Sequence, residues 1–184
     1  MFGNLTWVPA GTRADLLAAP VATAIDAWDG DPDDILVAEI DPDLADTTAF
    51  CERYDVPMEA SANCVVIAGR RAGETRLAAC MVLATTRADV NNVVRRHLGA
   101  RKASFAPMEL AVAETGMEYG GITPLGLPAD WPVLVDTRVA EAGPVVVGSG
   151  VRRSKLCLPG SALARLPSAE VLDGLALPNV PNVR

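Results

Sequence analysis

From residue 61 onward the sequence alternates apolar runs too short for helices with closely spaced glycines and prolines, and this punctuation limits the folds open to it. Val65-Val66-Ile67 and Leu77 to Leu83 flank an Arg70-Arg71-Ala72-Gly73-Glu74 turn, which predicts a β-hairpin. Residues 88–98 predict an amphipathic helix, with Val90, Val93, Val94 and Leu98 on one stripe and Gly99 at the C-terminal cap. Lys102 to Ala106 reads as a strand, and Pro107 and Gly116 bracket a short helix. Residues 133–136, 145–148 and 155–158 read as three further strands, followed by a last helix over 161–166. Helices this short cannot serve as regular parallel crossovers, so a mixed α/β sheet is expected rather than a doubly wound one. Upstream, the pattern predicts a helix over 13–29 that Pro20 starts or kinks, then a strand from Ile35 to Ile40. A second helix through Thr47, Phe50, Cys51 and Tyr54 is capped by Asp43 or Asp46 and stopped by Pro57.

Composition narrows the functional classes. A chain of 184 residues with 50% hydrophobic residues suits a single globular domain with a sizeable core. Its net charge of −7 excludes coating nucleic acid through bulk charge, and 4% aromatic residues exclude a broad stacking platform for bases. Any nucleic-acid contact has to be local. The longest apolar run, Leu77 to Ala84, falls far short of the ~20 residues of a membrane span, and the N-terminus lacks a secretory pattern, so a soluble cytoplasmic protein is expected. Cys51, Cys64, Cys80 and Cys157 have no CxxC spacing, and the single histidine, His97, is not near any of them in sequence. No metal site and no cofactor are expected. The cysteines read as small buried hydrophobes, and His97 as a residue suited to the end of a helix.

The stretch Thr115 to Pro128 contains four glycines and two prolines. Glycine removes the Cβ that would obstruct a ligand and proline stiffens the path, so exposed N–H groups of this loop can converge on a carbonyl or phosphate oxygen. The alternative is a tight surface connection between helix and strand.

In its order of elements the chain resembles the YbaK/prolyl-tRNA synthetase-associated domains, which include aminoacyl-tRNA editing deacylases. The resemblance runs from about Thr47 to about Leu175. Gly120 to Pro124 matches the family's G-x-x-x-P loop, and Gly148-Ser149-Gly150 a small-residue turn near the same pocket. It implies an α/β (α+β) single domain, with a central mixed, mostly antiparallel curved sheet flanked by short helices. Residues 1–45 are then an N-terminal extension packing on the domain, 46–176 the editing domain, and 177–184 a loose tail.

The activity implied is hydrolysis, in trans, of the ester joining a wrongly attached small amino acid to the 3′-terminal ribose of tRNA. In the family the loop's backbone amides hold the substrate and stabilise developing negative charge, which assigns the catalytic role to Gly120, Gly121, Ile122 and Thr123 together with Asn63. Active members carry a lysine where Asn63 stands, and an amide donates hydrogen bonds without the charge. The alternative implied is therefore a catalytically impaired module that binds aminoacyl-tRNA or a related small ligand. Pro124, Gly148, Ser149, Gly150, Lys102 and Arg152 are the expected substrate-binding residues, Lys102 as the candidate to replace the missing charge. The expected partners are the tRNA acceptor end, held by a weak local contact, and an aminoacyl-tRNA synthetase, with no membrane. Basic clusters at Arg70-Arg71 with Arg76, at Arg95-Arg96-His97 with Arg101-Lys102, and at Arg152-Arg153 with Lys155 are the candidate patch for that end.

Overall fold

The structure is a computed structural model that describes residues 2–179. Strand β1 (Val8–Pro9) leads into two 3-10 turns, and helix α1 (Ala19–Asp26) begins only at Ala19, with Pro20 in its first turn. A proline has no N–H to donate to a preceding turn and its ring would clash with that turn, so it is accommodated in the first turn of a helix, and the expected helix over 13–29 is confined to its second half. Strand β2 (Leu36–Glu39) and helix α2 (Thr47–Tyr54) follow, with Asp46 at the N-cap and the left-handed Asp55 ending the helix ahead of Pro57. Strands β3 (Ala62–Arg71) and β4 (Glu74–Leu83) pair in unbroken register from Ala62↔Leu83 to Arg71↔Glu74. Ala72 and Gly73, both with positive φ, make the two-residue turn.

After β5 (Thr86–Ala88) the expected helix over 88–98 divides into a π-turn at Val90–Val94 and helix α3 (Arg95–His97). Val94 N–H reaches back five residues to Asp89 O at 3.1 Å, while the Asp89 carboxylate holds the backbone and side-chain N–H groups of Asn92, tying the first turn into a wider winding. Strand β6 (Lys102–Phe105) and helix α4 (Met108–Thr115) match expectation, Pro107 at the N-cap and the left-handed Gly116 at the C-cap. Next come β7 (Val133–Asp136), α5 (Thr137–Ala140), β8 (Pro144–Gly148), β9 (Ser154–Pro159), α6 (Gly160–Leu163), β10 (Ala169–Leu172) and β11 (Ala176–Pro178). Four of these elements, β5, α5, β10 and β11, have no clear sequence signature because each is only three or four residues long.

A five-stranded sheet runs β10-β7-β4-β3-β6, with β7 parallel to its neighbours and β3 antiparallel to both of its own. A second sheet, β1-β2-β9-β8, is antiparallel throughout. One parallel bridge, Ser61↔Val146, joins the two. The architecture is thus the expected mixed, mostly antiparallel α/β arrangement, divided into two main sheets. The N-terminal segment supplies two strands of the second sheet, and Leu16, Val21, Ile25 and Ile35 bury in one core with Val135, Val147 and Leu156. Leu177 and Pro178, expected in a loose tail, instead pair with Arg87 and Thr86, while 180–184 lie outside the described residues. No helix of the described residues is long and apolar enough to cross a membrane.

Candidate active site

Strand β3 is paired with β4 along its whole length but has a gap on its other edge. There Ser61 bridges Val146, Ala106 N–H donates to Val66 O, and residues 67–70 pair with β6, while residues 62–65 between them have no strand partner. A pocket of about 320 Å³ occupies this gap. Asn63 to Val66 form one wall, Val146 to Gly148 of β8 the opposite one, and Asp46, Thr47 and Phe50 of the α2 segment cover it. Phe105 and Tyr119 also line it and are 63% and 57% exposed, which places them at its open side.

The glycine loop closes the pocket through backbone-to-backbone packing against the turn after β8. Gly150 N–H donates to Gly121 O at 2.7 Å, Glu118 N–H to Gly150 O at 2.8 Å, and Gly121 N–H to Glu118 O at 2.9 Å. A Cβ at Gly148 would lie within 3.0 Å of the Gly121 and Ile122 carbonyls, and one at Gly121 within 3.0 Å of Val151 backbone atoms. These glycines are therefore required by the close approach of two chain segments. The N–H groups of Gly121 and Gly150 are consumed in it. Those of Gly120 and Ile122, which line the pocket, have no acceptor among the described residues.

The expected site residues divide accordingly. Asn63, Gly120, Ile122 and Gly148 line the pocket, whereas Gly121, Thr123, Pro124, Ser149 and Gly150 stand behind it. Ser149 is fully buried, its hydroxyl sharing a 2.7 Å hydrogen bond with that of Ser154, and Thr123 is fully buried with a hydroxyl that meets no partner among the described residues. Arg152 braces the loop from outside: its N–H donates to the Glu118 carboxylate at 2.6 Å and its guanidinium to Pro42 O at 3.1 Å and Tyr119 O at 3.4 Å. Lys102 sits at the far end of β6 in a separate surface concavity with Arg70, Arg95 and Arg101, so its amine does not replace the missing charge in the pocket.

Asn63 faces the pocket. Its side-chain oxygen accepts from the Thr47 hydroxyl at 2.7 Å, leaving its amide N–H groups uncommitted. Strand alternation puts the neighbouring Cys64 on the other face of β3, where it lines the pocket from the side that packs on the main core; burial pushes its thiol well above the usual range, which disfavours the thiolate a nucleophile needs. His97 lies elsewhere, paired with Glu170 at 3.1 Å. The described residues contain no cluster of three His, Cys, Asp or Glu able to hold a metal ion.

The residue that sequence reasoning missed is Lys155, on β9 opposite Gly148. It is only 8% exposed, lines the pocket, donates from Nζ to Ala45 O at 2.8 Å and stands 5.3 Å from the centre of the Phe50 ring. Burial, helped by the nearby Arg152 charge, lowers its pKa to about 8. The available signal was a lysine at an inward position of an otherwise apolar strand; read as part of a basic surface cluster, it concealed its burial.

A family model for the aminoacyl-tRNA editing domain matches residues 41–166. Among solved structures, a candidate trans-editing enzyme for prolyl-tRNA synthetase superposes with a TM-score of 0.71 at 20% identity, over 85% of this chain and 94% of that one. A scaffold protein from computational epitope backbone grafting gives 0.70 at 20% identity, over 85% and 95%. A hypothetical protein gives 0.67 at 18% identity, over 77% and 90%. At such identities the structural likeness establishes a common fold. The family match spans well over half of the sequence, including the gap in β3, the glycine loop and the turn after β8, and by it the chain belongs to the aminoacyl-tRNA editing domain family.

Proposed function

We propose that the protein is a cytoplasmic deacylase that acts in trans, hydrolysing the ester between a small amino acid and the 3′-terminal ribose of tRNA. The observation that carries this reading is the pocket in the unpaired edge of β3, lined by Gly120, Ile122 and Asn63, each with an N–H donor that has no acceptor among the described residues. Donors fixed before the reaction stabilise an oxyanion without reorganising, and removing one such donor typically costs about 10²–10³ in rate. An aminoacyl ester is already activated, so positioning it beside water, aided by the neighbouring ribose hydroxyl, supplies much of the remaining acceleration. A volume of about 320 Å³ favours small side chains when part of the ribose enters as well. Residues 46–176 carry this unit, and residues 1–45 complete its second sheet.

The acceptor end approaches past Phe105. The outer end of β6, about 10 Å along the strand from that residue, carries Arg70, Arg95, Arg101 and Lys102, none in an ion pair among the described residues. A few phosphates fit there, so tRNA binding is weak and falls as salt rises. A synthetase that hands over the mischarged tRNA is the accompanying protein partner.

Incubation with tRNAs carrying alanine, serine or cysteine tests the reading. Loss of at least one of these esters well above background is expected; none across the panel would overturn the catalytic assignment. The second reading, binding without turnover, is favoured by Asn63 in the place of a lysine. It predicts that the unaltered protein retains the ester while Asn63→Lys hydrolyses it, and robust hydrolysis by the unaltered protein defeats it.

A further inference from the structure

A buried ammonium, Lys155, and an exposed carboxylate, Asp46, line the same pocket without forming an ion pair. The Lys155 ammonium is more than nine-tenths buried and has one carbonyl partner, Ala45 O, and no carboxylate within ion-pair distance among the described residues. A buried ammonium so poorly compensated calls for an oxygen acceptor from outside. Asp46, at the solvent-exposed rim, is unusual for a different reason. An aspartate at a helix N-cap ordinarily accepts a hydrogen bond from the helix's first free N–H groups, yet the Asp46 carboxylate makes no such bond and lines the pocket. It belongs to the residue directly after Ala45, whose carbonyl holds Lys155, so the two charges flank one peptide unit without forming an ion pair with each other.

We propose that this pair reads the two ends of an α-amino ester, Asp46 taking the free α-ammonium and Lys155 the ester carbonyl oxygen. The inference rests on the deacylase reading and adds a substrate rule: the amino group must be unblocked. In the reaction a water oxygen bonds to the carbonyl carbon and the C=O π pair moves onto oxygen, where Lys155 and the loop N–H groups hold it. Collapse re-forms C=O and breaks the bond to the ribose oxygen, which takes up the proton released by the water. The products are the free amino acid and the ribose hydroxyl. An N-acylated or peptidyl ester loses the positive charge and sets a neutral amide against Asp46, so it is rejected.

Two measurements test this. On alanyl-tRNA and N-acetylalanyl-tRNA, the wild type is expected to prefer the free amine by on the order of tenfold or more. Asp46→Asn lowers kcat/KM for alanyl-tRNA and brings that preference toward unity. Lys155→Met lowers kcat on alanyl-tRNA by about 10²–10³, while Lys155→Arg, checked for folding by its melting curve, keeps part of the rate. Binding of a non-hydrolysable 3′-alanylamido-3′-deoxyadenosine and its N-acetyl form provides a readout that needs no catalysis. Tighter binding of the free amine, lost in Asp46→Asn, supports the pair. Equal affinity of the wild type for both analogues overturns it, whatever the ester assays show. Discrimination in binding without hydrolysis by the wild type sinks the deacylase reading alone.

Discussion

Gly148→Val is expected to reduce aminoacyl ester hydrolysis at least about 100-fold, because it displaces the glycine loop without touching a donor. The new Cβ would fall within 3.0 Å of the carbonyl oxygens of Gly121 and Ile122, both backbone atoms with no rotamer to retreat into. The loop must move away from β8, carrying the Gly120 and Ile122 N–H groups with it and straining the Gly150 N–H to Gly121 O bond of 2.7 Å. Overpacking of this kind also costs about 1–3 kcal/mol of stability. Gly143→Ala is the matched control: a Cβ there meets nothing within 4 Å, and neither activity nor melting temperature should change appreciably. Kinetics and melting curves of both variants check this; wild-type rates in Gly148→Val would show that the loop's position does not govern catalysis.

The largest loss of stability is expected from Asp136→Ala, roughly 2–4 kcal/mol, because the buried carboxylate's charge-assisted hydrogen bonds are lost and the Ala176 N–H is left without its acceptor, while Arg138, 43% exposed, returns to water. Asp136 is 1% exposed at the end of β7. One carboxylate oxygen accepts from Arg138 N–H at 3.0 Å and Arg138 Nε at 2.8 Å; the other accepts from Ala176 N–H at 2.8 Å and Arg138 Nη2 at 3.2 Å. It thereby starts α5 and pins β11 at once. Burial by itself would raise the carboxyl's pKa, but the Arg138 and Ala176 hydrogen bonds outweigh it and hold the group below the usual carboxylate value. A depressed pKa contributes stability above the unfolded value, near 4, and that contribution is lost as pH falls through the lower folded value. Chemical denaturation should therefore show the wild type converging on Asp136→Ala at acid pH and standing furthest above it near neutrality. A constant difference between the two down to strongly acid pH would disprove this account.

Much of the fold was legible because it rests on local chemistry. The β3–β4 hairpin follows from apolar runs around a turn ending in Gly73, and α4 from Pro107 and Gly116 at its ends. Asn63, Gly120 and Ile122 were likewise identifiable as residues of one pocket through their resemblance to the YbaK-like pattern, whereas Gly121, Thr123, Pro124, Ser149 and Gly150 of the same pattern stand behind it. The π-turn at Val90–Val94 was not legible, since an amphipathic stripe does not distinguish a four-residue from a five-residue hydrogen bond. Lys102 and Lys155 illustrate the same limit. Both are lysines beside arginines in sequence, yet one ends on an exposed strand tip and the other under Phe50, because β9 is an interior strand between β2 and β8.

Sequence alone determined the longer strands and helices, the glycine-rich loop, and the family, since each depends on residues close together in the chain. Only the tertiary structure decided the site. The gap at residues 62–65 exists because β8 bridges the chain at Ser61, just before β3, and β6 joins β3 only from Ile67, five residues beyond the gap's start, and strand partners distant in sequence set that spacing. The charges within it follow from the same cause: Lys155 and Asp46, 109 positions apart in the numbering, meet at one peptide unit because β9 packs beneath the start of α2. Burial, which makes an unneutralised ammonium significant, is a property of that packing and of no residue by itself.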